Sequence, residues 1–451
     1  MADADLVIRN GTVVQQDDLP PARDIAITDG LIAAIGRNLP LTGVTEIDAS
    51  GLHIFPGGID PHVHFNEPGR EDWEGIATGS QALARGGFTT YVDMPLNCSP
   101  VTVDEDAFDV KLHSANVSSL VDFGFWGGLV PGNVRNVEPL VRRGVLGFKA
   151  FMCDSGIADF PVADDLTLWE GMRRCAALRS LVLVHAENPS LVSRLTKRAL
   201  AAGCSRPRDF AAARPAIAEV EAISRALFFA GETGCAVHVV HVSTARGVQL
   251  VERAREAGVD ASCETCPHYL LLTENDLDDL GAVAKCAPPL RSTPDREALW
   301  ELIGQGRLRI IASDHSPCPP ELKRGDDFFQ VWGGISGCQT TLQLLLAHGH
   351  ARRRLPLPTL AGLVATNAAR RIGLPAKGAV EAGRDGDLVL IDLADEWPLT
   401  TGELGYRHPQ SPFVGWPIRG RVVRTLVRGN TVVADGKVAS PPLGRLIKRA
   451  T

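Results

Sequence analysis

The middle of the chain, from about residue 55 to residue 375, alternates short apolar runs with stretches of helical period, such as LTLWEGMRRCAALRS (166–180). The apolar runs have the length and composition of buried strands. There are eight of them: GLHIFPGGID (51–60), FTTYVDMP (88–95), DFGFWGGLV (122–130), VLGFKAFM (145–152), LVLVHAE (181–187), AVHVVHVS (236–243), DASCETCPHYLLL (260–272) and RLRIIASDH (307–315). Eight strand–helix units predict an α/β fold, a TIM-type (β/α)8 barrel. A doubly wound open sheet is the alternative, but no GxGxxG follows the first strand.

The two ends of the chain carry a different pattern. LVIRNGTVV (6–14) and TLVRGNTVV (425–433) each predict a strand, an Asn/Gly turn and a second strand. DIAITDGLIAAIG (24–36) predicts another hairpin, and GDLVLIDL (386–393) one more strand. Because a lone hairpin is unstable, both ends are expected to form one small β-sandwich domain. We therefore predict a composite domain from residues 1–54 plus 376–451, and a catalytic barrel over 55–375.

Composition narrows the class of partner. The 451-residue chain has a net charge of −7, which argues against nucleic acid or an anionic membrane as the main partner. The N-terminus shows no basic segment followed by an apolar core, and no apolar stretch is long enough to span a membrane. The ten cysteines are then expected to be reduced in a cytoplasmic protein. CETC (263–266) has no second CxxC, so it is interpreted as structural.

Polar side chains end several of the predicted strands. His62 and His64 follow the first run, His185 ends the fifth, His241 the sixth, and Asp314 the eighth. In a barrel these carboxyl ends converge on one mouth. Taken singly, the histidines could be surface or satisfied core residues and Asp314 a helix N-cap. Together they predict a divalent-metal site, because imidazole and carboxylate are its usual ligands.

Lys149 is the one charged residue in the fourth run, VLGFKAFM. One interpretation is that its side chain extends from the strand end to water. The predicted metal site favours a different interpretation of Lys149. Four neutral histidines and one aspartate carry little negative charge for two cations, which repel one another. A neutral lysine amine can react with CO2 to form a carbamate, whose two oxygens could bridge both cations. Lys149 is therefore predicted to be N6-carboxylysine.

The chain resembles the cyclic amidohydrolases of the amidohydrolase superfamily, which include dihydroorotase, hydantoinase/dihydropyrimidinase and allantoinase. The resemblance covers essentially the whole chain. It rests on six motifs: GGIDPHVHF (57–65), GFKAF (147–151), VHAEN (184–188), HVVHVS (238–243), KCAPPLR (285–291) and ASDHSPC (312–318). The allantoinase branch is the most similar, through HFNEPGREDWEG (64–75) and SDHSPCPPELK (313–323).

This resemblance implies a ligand set and a reaction. One divalent metal would be held by His62, His64, Lys149 and Asp314, and the other by carboxylated Lys149, His185 and His241. Zn²⁺ is the expected metal, with Co²⁺, Fe²⁺, Ni²⁺ or Mn²⁺ as alternatives. Asp314 would act as the catalytic base and then the acid. The implied reaction is hydrolysis of the hydantoin-ring amide of (S)-allantoin to allantoate, in a homotetramer that acts on a small molecule.

Substrate contacts are also implied by the resemblance. Dihydroorotases carry an arginine where Asn66 stands, to pair with a substrate carboxylate, and hydantoinases carry a tyrosine shortly after the lysine that this chain lacks. The expected substrate-binding residues are Asn66, Asn97, Cys286, Ala287, Ser316 and Gly337. Two alternatives stay open: another cyclic amide as substrate, as in dihydroorotase or hydantoinase, and a non-catalytic scaffold like some dihydropyrimidinase-like proteins.

Overall fold

The structure, a computed structural model, describes residues 3–14 and 22–450. They form a (β/α)8-type barrel joined to a β-sandwich built from both ends of the chain, which confirms the predicted fold class. The strands are β1 (Ala4–Val13), β2 (Arg23–Thr28), β3 (Leu31–Gly36), β4 (Gly43–Asp48), β5 (His53–Pro56), β6 (Gly58–Val63), β7 (Phe88–Asp93), β8 (Asp122–Phe125), β9 (Gly127–Gly128), β10 (Phe148–Phe151), β11 (Leu181–His185), β12 (Ala236–Val239), β13 (Ala261–Cys263), β14 (Leu388–Pro398), β15 (Pro417–Val427), β16 (Asn430–Ala434) and β17 (Lys437–Val438).

Helices alternate with the barrel strands. They are α1 (Ile76–Arg85), α2 (Glu105–Ser118), α3 (Val137–Arg143), α4 (Asp165–Ala177), α5 (Pro189–Ala201), α6 (Pro207–Ala213), α7 (Ala216–Thr233), α8 (Ala245–Glu256), α9 (Pro267–Leu271), α10 (Leu277–Leu280), α11 (Thr293–Gly304), α12 (Thr341–Leu345), α13 (Leu357–Ala361) and α14 (Asn367–Ile372). Two π-helical segments continue α12 and join α13 to α14, at Leu346–Ala351 and Gly362–Thr366. Short 3₁₀ turns lie at Val134–Asn136, Glu274–Asp276, Gly281–Ala284, Pro320–Lys323 and Thr401–Glu403.

Helix α7 shows how a barrel helix is specified by its sequence. Ala218, Ala222, Ala226 and Ala230 recur every fourth residue and are all buried. This spacing places them on one face, and their small side chains let the helix pack closely on the barrel. The helix ends at Gly234, whose φ of 69° is the left-handed conformation that glycine adopts at helix C-termini without steric cost.

The barrel wall consists of parallel strands. β6, β7 and β8 pair in that order, and β9 to β13 form a second parallel group. Only Trp126 separates β8 from β9, so the chain passes directly from one group to the other. The eighth apolar run closes the barrel through two isolated parallel bridges, Ile311 with Thr265 and His315 with Val63. The carboxyl ends of these strands therefore surround one mouth.

Four predicted elements differ from the structure. The first run divides, because β5 pairs with β1 and β14 of the sandwich and only β6 enters the barrel. The seventh run is a strand only over β13, since Pro267 begins α9 and proline is favoured at the first helical position. The eighth run makes bridges but no regular strand. The Asn10–Gly11 turn is absent, because β1 continues through an irregularity there.

The other terminal predictions are confirmed. β2 and β3 form the hairpin at Asp29–Gly30, and β15 and β16 form the hairpin at Arg428–Gly429. The division of the chain into domains at residues 54/55 and 375/376 stays a prediction, and β5 spans the first of these positions.

A buried charge cluster joins the barrel to the sandwich. The Lys377 ammonium lies 2.8 Å from Asp122 at the start of β8, and 2.9 and 2.7 Å from Asp385 and Asp387, which precede β14. Arg428, in the β15–β16 turn, also pairs with Asp122. These cations neutralise three carboxylates that would otherwise repel one another at the junction. Within residues 3–14 and 22–450, no helix is both long and apolar enough to cross a membrane.

Candidate active site

One group of donor atoms lies where β6 ends. His62 is in the strand and His64 follows it by one residue, so both side chains point to the same side. Their Nε2 atoms lie 3.2 and 3.5 Å from Oδ1 of Asp314. One ligand atom each of His62, His241 and Asp314 lies within 4.8 Å of the other two, as in a site that could hold a metal ion. The structure therefore brings these predicted residues together.

A second pair of donors lies at the ends of β11 and β12. Nδ1 of His185 is 3.0 Å from Nε2 of His241, so two ring nitrogens face the same point. The Phe151 ring stacks on His185 with a centroid distance of 4.6 Å and fixes its plane. Burial lowers the pKa of His185, and lowers that of His241 well below its usual range. Both imidazoles are therefore neutral, which is the form that binds metals.

Lys149 lies inside the barrel between these groups. Its side chain is completely buried, and its Nζ has no hydrogen-bond partner among the described residues. The Phe151 ring centroid lies 5.1 Å from this Nζ. Burial lowers the pKa of Lys149 to about 8, against the opposing effect of Asp314. A side chain that extends to water is thus ruled out, and the burial of an unpaired ammonium needs another explanation.

Glu264, just after β13, fixes the ring of His62. Its Oε1 lies 2.7 Å from Nδ1 of His62, and its Oε2 lies 3.1 Å from Nε2 of His238. Burial raises the pKa of Glu264 to about 8. In its ionised form, Glu264 keeps the proton on Nδ1 of His62 and leaves Nε2 free to bind a cation. Burial, followed by the effect of the Lys149 ammonium, lowers the pKa of His62 well below its usual range.

Two of the other three predicted metal-ligand histidines, His185 and His64, have comparable partners, whereas Nδ1 of His241 is buried without one among the described residues. Glu187 lies 2.8 Å from Nε2 of His185 and also pairs with Arg214, so Nδ1 of His185 is the nitrogen left to face His241. The side-chain amide of Asn97 lies 3.3 Å from Nδ1 of His64. If Nε2 of His64 binds a cation, Nδ1 carries the proton and the amide must present its oxygen.

The backbone is strained at two of these residues. His241 has a φ of 39° and Asp314 a φ of 47°, in the left-handed region that residues with a Cβ rarely adopt. Asn66 and Asn97 also lie there, with φ values of 65° and 66°, although asparagine tolerates this conformation better. Such conformations cluster at functional sites, where the surrounding structure holds them in place.

A cavity of about 380 Å³ opens above these groups, within the size range of small-molecule sites. His62, His64, His185, His241 and Asp314 all line it. Four of the predicted substrate-binding residues line it as well: Asn97, Cys286, Ala287 and Ser316.

The other two predicted substrate-binding residues are not part of the cavity lining. Asn66 is buried, and its side-chain amide donates to the Pro317 carbonyl at 3.3 Å. The backbone N–H of Gly337 donates to Nδ1 of His315 at 3.2 Å. The structure therefore brings neither residue to the cavity wall.

The buried Lys285 and the half-buried Lys323 hold one wall of the cavity. The wall is the segment 329–334, all of whose residues line the cavity. Lys285 donates to the Val331 carbonyl at 2.6 Å, and Lys323 donates to the carbonyls of Gly334 at 2.6 Å and Ala282 at 3.0 Å. Neither ammonium pairs with a carboxylate that the structure describes. They are charged donors to backbone oxygens, which fixes a wall that lacks regular secondary structure.

A third group of potential ligands adjoins Asp314. One atom each of Cys266, His268 and Asp314 lies within 4.8 Å of the other two, and Nε2 of His268 is buried without a hydrogen-bond partner in the described chain. Cys266 belongs to the CETC stretch that the sequence marked as structural. Its neighbour Glu264 is the residue of that stretch with a contact to His62.

Sequence reasoning missed several residues of this site. Glu264, Glu187, Lys285 and Lys323 all lie inside or next to the motifs that were singled out. A signal for Glu187 was available, because it ends a predicted strand as His185 nearly does. Glu264 lies in the middle of the seventh predicted run, and only the early end of β13 at Cys263 places it at the barrel mouth. The targets of the two lysines are backbone carbonyls far along the chain, and these contacts leave no sequence signal.

The barrel, its attached sandwich and the ligand-type side chains at its mouth define the class as the metal-dependent hydrolases of TIM-barrel fold. The chain belongs to the amidohydrolase family, whose model matches residues 53–432. The described residues include groups that could hold a metal ion, as the sequence predicts in outline.

Individual relatives agree with this assignment over almost their full length. An allantoinase of Rubrobacter xylanophilus is 53% identical over 448 residues, covering 99% of this chain and 98% of the relative. An allantoinase of Deinococcus radiodurans is 45% identical over 444 residues, covering 98% of both. The solved structure of an L-hydantoinase (dihydropyrimidinase) from Arthrobacter aurescens has a TM-score of 0.96 at 34% identity, covering 100% of both chains.

Proposed function

We propose that this protein hydrolyses the ring amide of allantoin to give allantoate. Two findings support the proposal. Relatives called allantoinase are similar over nearly the whole chain, at 53% and 45% identity. At the barrel mouth, histidines that could bind a metal lie next to the Asp314 carboxylate in the cavity wall. A bound divalent metal with a neighbouring carboxylate base is a common arrangement for amide hydrolysis.

The observation that carries the mechanism is the buried, unpaired Nζ of Lys149. We assign the first metal to His62, His64, Lys149 and Asp314, and the second to Lys149, His185 and His241. The donor set of imidazole and carboxylate oxygen fits Zn²⁺, with Co²⁺, Fe²⁺, Ni²⁺ or Mn²⁺ as alternatives. When bound, such cations lower the pKa of a water molecule and polarise the substrate carbonyl.

Lys149 would be present as a carbamate. Its neutral amine nitrogen attacks the carbon of CO2, an N–C bond forms, one C=O bond becomes a C–O⁻, and the nitrogen loses a proton. This converts a buried cation without a partner into an anion with two oxygen donors. Removal of the charge conflict between an ammonium and two cations supports this form of Lys149.

The chain's own residues would then bind the substrate and move protons. Asp314 accepts a proton from the attacking water and delivers it to the ring nitrogen that leaves, which is one carboxylate acting as base and then as acid. Glu264 and Glu187 keep the imidazole protons away from the metal-facing nitrogens. Backbone groups of Cys286 and Ala287, in the cavity wall, would orient the ring.

Further substrate contacts belong to the same proposal. Ser316 and Asn97 line the cavity, and Asn97 also contacts His64. Asn66 and Gly337 would need a movement to reach the substrate, because neither is in the lining.

A substrate panel tests this proposal. We expect the kcat/KM for allantoin to exceed those for dihydroorotate and for hydantoin by roughly a hundredfold or more, since a site without the partner for a polar group discriminates by that order. The assay follows ring opening of allantoin, dihydroorotate, dihydrouracil and hydantoin side by side. Comparable turnover of dihydroorotate would contradict allantoin as the preferred substrate.

A second candidate is hydrolysis of hydantoins or dihydropyrimidines. The observation that favours it is the L-hydantoinase structure, which superposes over the full length of the chain. The same panel separates the two, because a hydantoinase would prefer substrates without the ureido group. A homotetramer and a cytoplasmic location remain predictions of the resemblance, and light scattering of the purified protein would test the first.

A further inference from the structure

A second pocket lies at the opposite end of the barrel from the candidate active site. It has a volume of about 350 Å³, close to that of the active-site cavity. Its walls come from the beginning of β13, from Ile310 in the eighth run, and from the C-terminal turns of α8 and α14. Since strands begin where the preceding helices end, these elements mark the bottom of the barrel.

This pocket is rich in arginine. Of its fourteen lining residues, six are arginines and two are acidic, Glu252 and Asp260. In the whole chain only 46 of 451 residues are Lys or Arg, and the net charge is −7. This pocket therefore has an excess of positive charge, although the chain as a whole has a net negative charge. The arginines are Arg255, Arg307, Arg309, Arg370, Arg371 and Arg449.

Helix dipoles explain part of this concentration. Arg255 lies in the last turn of α8, and Arg370 and Arg371 lie in the last turn of α14, where cations are favoured. Arg307 and Arg309 lie in the loop after α11, and Arg449 lies in the C-terminal tail. These three arginines lie outside the last helical turns, so the preference of cations for those turns accounts for only half of the arginines.

Arg255 and Arg307 both pair with Glu252, at 2.7 and 3.7 Å. Most of the guanidinium N–H donors in the pocket nevertheless make no contact with the residues that the structure describes. Arg309 donates to the Gly306 carbonyl at 2.7 Å, and Arg449 donates to the Arg179 carbonyl at 2.6 Å. The Arg370 side chain makes no ion pair or hydrogen bond with any residue in the described ranges. Each guanidinium offers five donors, so the pocket presents many free ones.

Arg371 also has an unused N–H donor, although its side chain is partly paired. It binds Asp260 and donates to the Val237 carbonyl at 2.8 Å, at the start of β12. Its Nε is buried and has no partner among the described residues. A donor that is already desolvated gains more from an acceptor than an exposed one does.

We propose that this pocket binds a small polyanion that carries at least two phosphate or carboxylate groups. Planar guanidinium groups match both kinds of oxygen acid bidentately. The pocket has six guanidinium groups and only two carboxylates. A ligand with one acidic group would neutralise only part of this excess positive charge, so a ligand with several negative charges fits better. The ligand would not compete with the substrate, because the two pockets lie at opposite ends of the barrel.

Isothermal titration of the metal-loaded protein tests the proposal. The probes are inorganic pyrophosphate and propane-1,2,3-tricarboxylate, which separate a phosphate ligand from a carboxylate ligand, with acetate at matched ionic strength as the control. We expect saturable binding of at least one polyanion and none of acetate. The Arg309→Gln/Arg370→Gln double variant should bind it at least about tenfold more weakly. Arg194→Gln, an exposed arginine on α5 with the same charge change, should bind it normally.

Polyanions can also chelate active-site metals, so metal content and allantoin turnover are measured in the same samples. Binding that the double variant retains in full would belong to another site and would overturn the proposal, as would the absence of saturable binding. If the double variant fails to fold, Arg449→Gln takes its place with the same expected result. Because this site is independent of the reaction, loss of allantoin turnover alone would contradict the proposed function and leave this inference standing.

Discussion

Glu264 offers the sharpest test of how the site is organised, because it is expected to touch no metal. It is completely buried, and its two oxygens lie 2.7 Å from Nδ1 of His62 and 3.1 Å from Nε2 of His238. Glu264→Leu removes both acceptors. Nδ1 of His62 then no longer favours the proton, and the tautomer with the proton on Nε2 cannot bind a cation.

The expected magnitude differs between two substitutions. Partners of metal-binding histidines are worth about 10–100-fold in metal affinity or activity. Glu264→Leu should reach the upper end of that range. Glu264→Gln should lie near the lower end, because its oxygen can still face His62. Its NH2 would face His238, which can shift its own proton to Nδ1, 2.7 Å from the Ser262 hydroxyl.

Activity at buffered metal concentrations measures this effect, together with bound metal by plasma emission. Both variants should regain turnover in excess metal, since only the affinity is impaired. Ser262→Ala is the matched control, because Ser262 lies two residues before Glu264, contacts His238 and makes no contact with His62. If Glu264→Leu binds metal with wild-type affinity, the assignment of His62 as a ligand fixed by Glu264 is wrong.

Four further predictions follow from the same contacts. Asp314→Asn should keep much of its metal but lose turnover by several orders of magnitude, and more than a tenth of wild-type activity would exclude it as the base. Lys149→Arg should bind metal poorly and be nearly inactive, because arginine cannot form the carbamate. Lys149→Ala should recover part of its activity when acetate is added. An active Lys149→Arg variant with two metals per subunit would refute the carbamate form of Lys149. Lys323→Met should raise the KM for allantoin more than it changes kcat, because the wall segment 329–334 loses its hydrogen bond from Lys323 to the Gly334 carbonyl. An unchanged KM would contradict this role of Lys323. Lys377→Met should cost about 3–5 kcal/mol in urea unfolding, since it leaves the buried carboxylate of Asp387 without a cation, although Asp122 keeps its pair with Arg428; the exposed control Lys437→Met should cost little, and equal stabilities would contradict the role of the cluster.

Some of this structure could be read directly from the sequence. His185 and His241 interrupt or end apolar runs, and the parallel-barrel rule then places both at one mouth. This prediction succeeds because residues at the carboxyl ends of neighbouring barrel strands are close together in space. It fails where strand character is weak: Ile311 and His315 close the barrel through single bridges, and no periodic pattern distinguishes such bridges from a strand.

Contacts between distant side chains were beyond the sequence. Glu264 lies between the two cysteines of a CxxC pattern, and nothing in that pattern indicates that its carboxylate contacts His62 across the barrel. Lys285 belongs to a quoted motif, yet its partners are carbonyl oxygens 44 and 46 residues away along the chain. A carbonyl acceptor can belong to any residue type, so composition carries no trace of such a contact.

Variants of Lys149, Glu264 and Asp314 distinguish three separate roles in a metal site from a general loss of structure at the barrel mouth. If Lys149 is a carbamate as proposed, its loss should remove an anion that an external acid can replace. Loss of Glu264 should weaken metal binding, which excess metal can overcome. Loss of the Asp314 carboxylate should stop proton transfer, and neither addition should restore it. A mouth that collapsed on any substitution would show one common pattern, with metal and turnover lost together and no rescue. Three different responses to acid and metal are therefore stronger support for the assigned roles than three losses of activity.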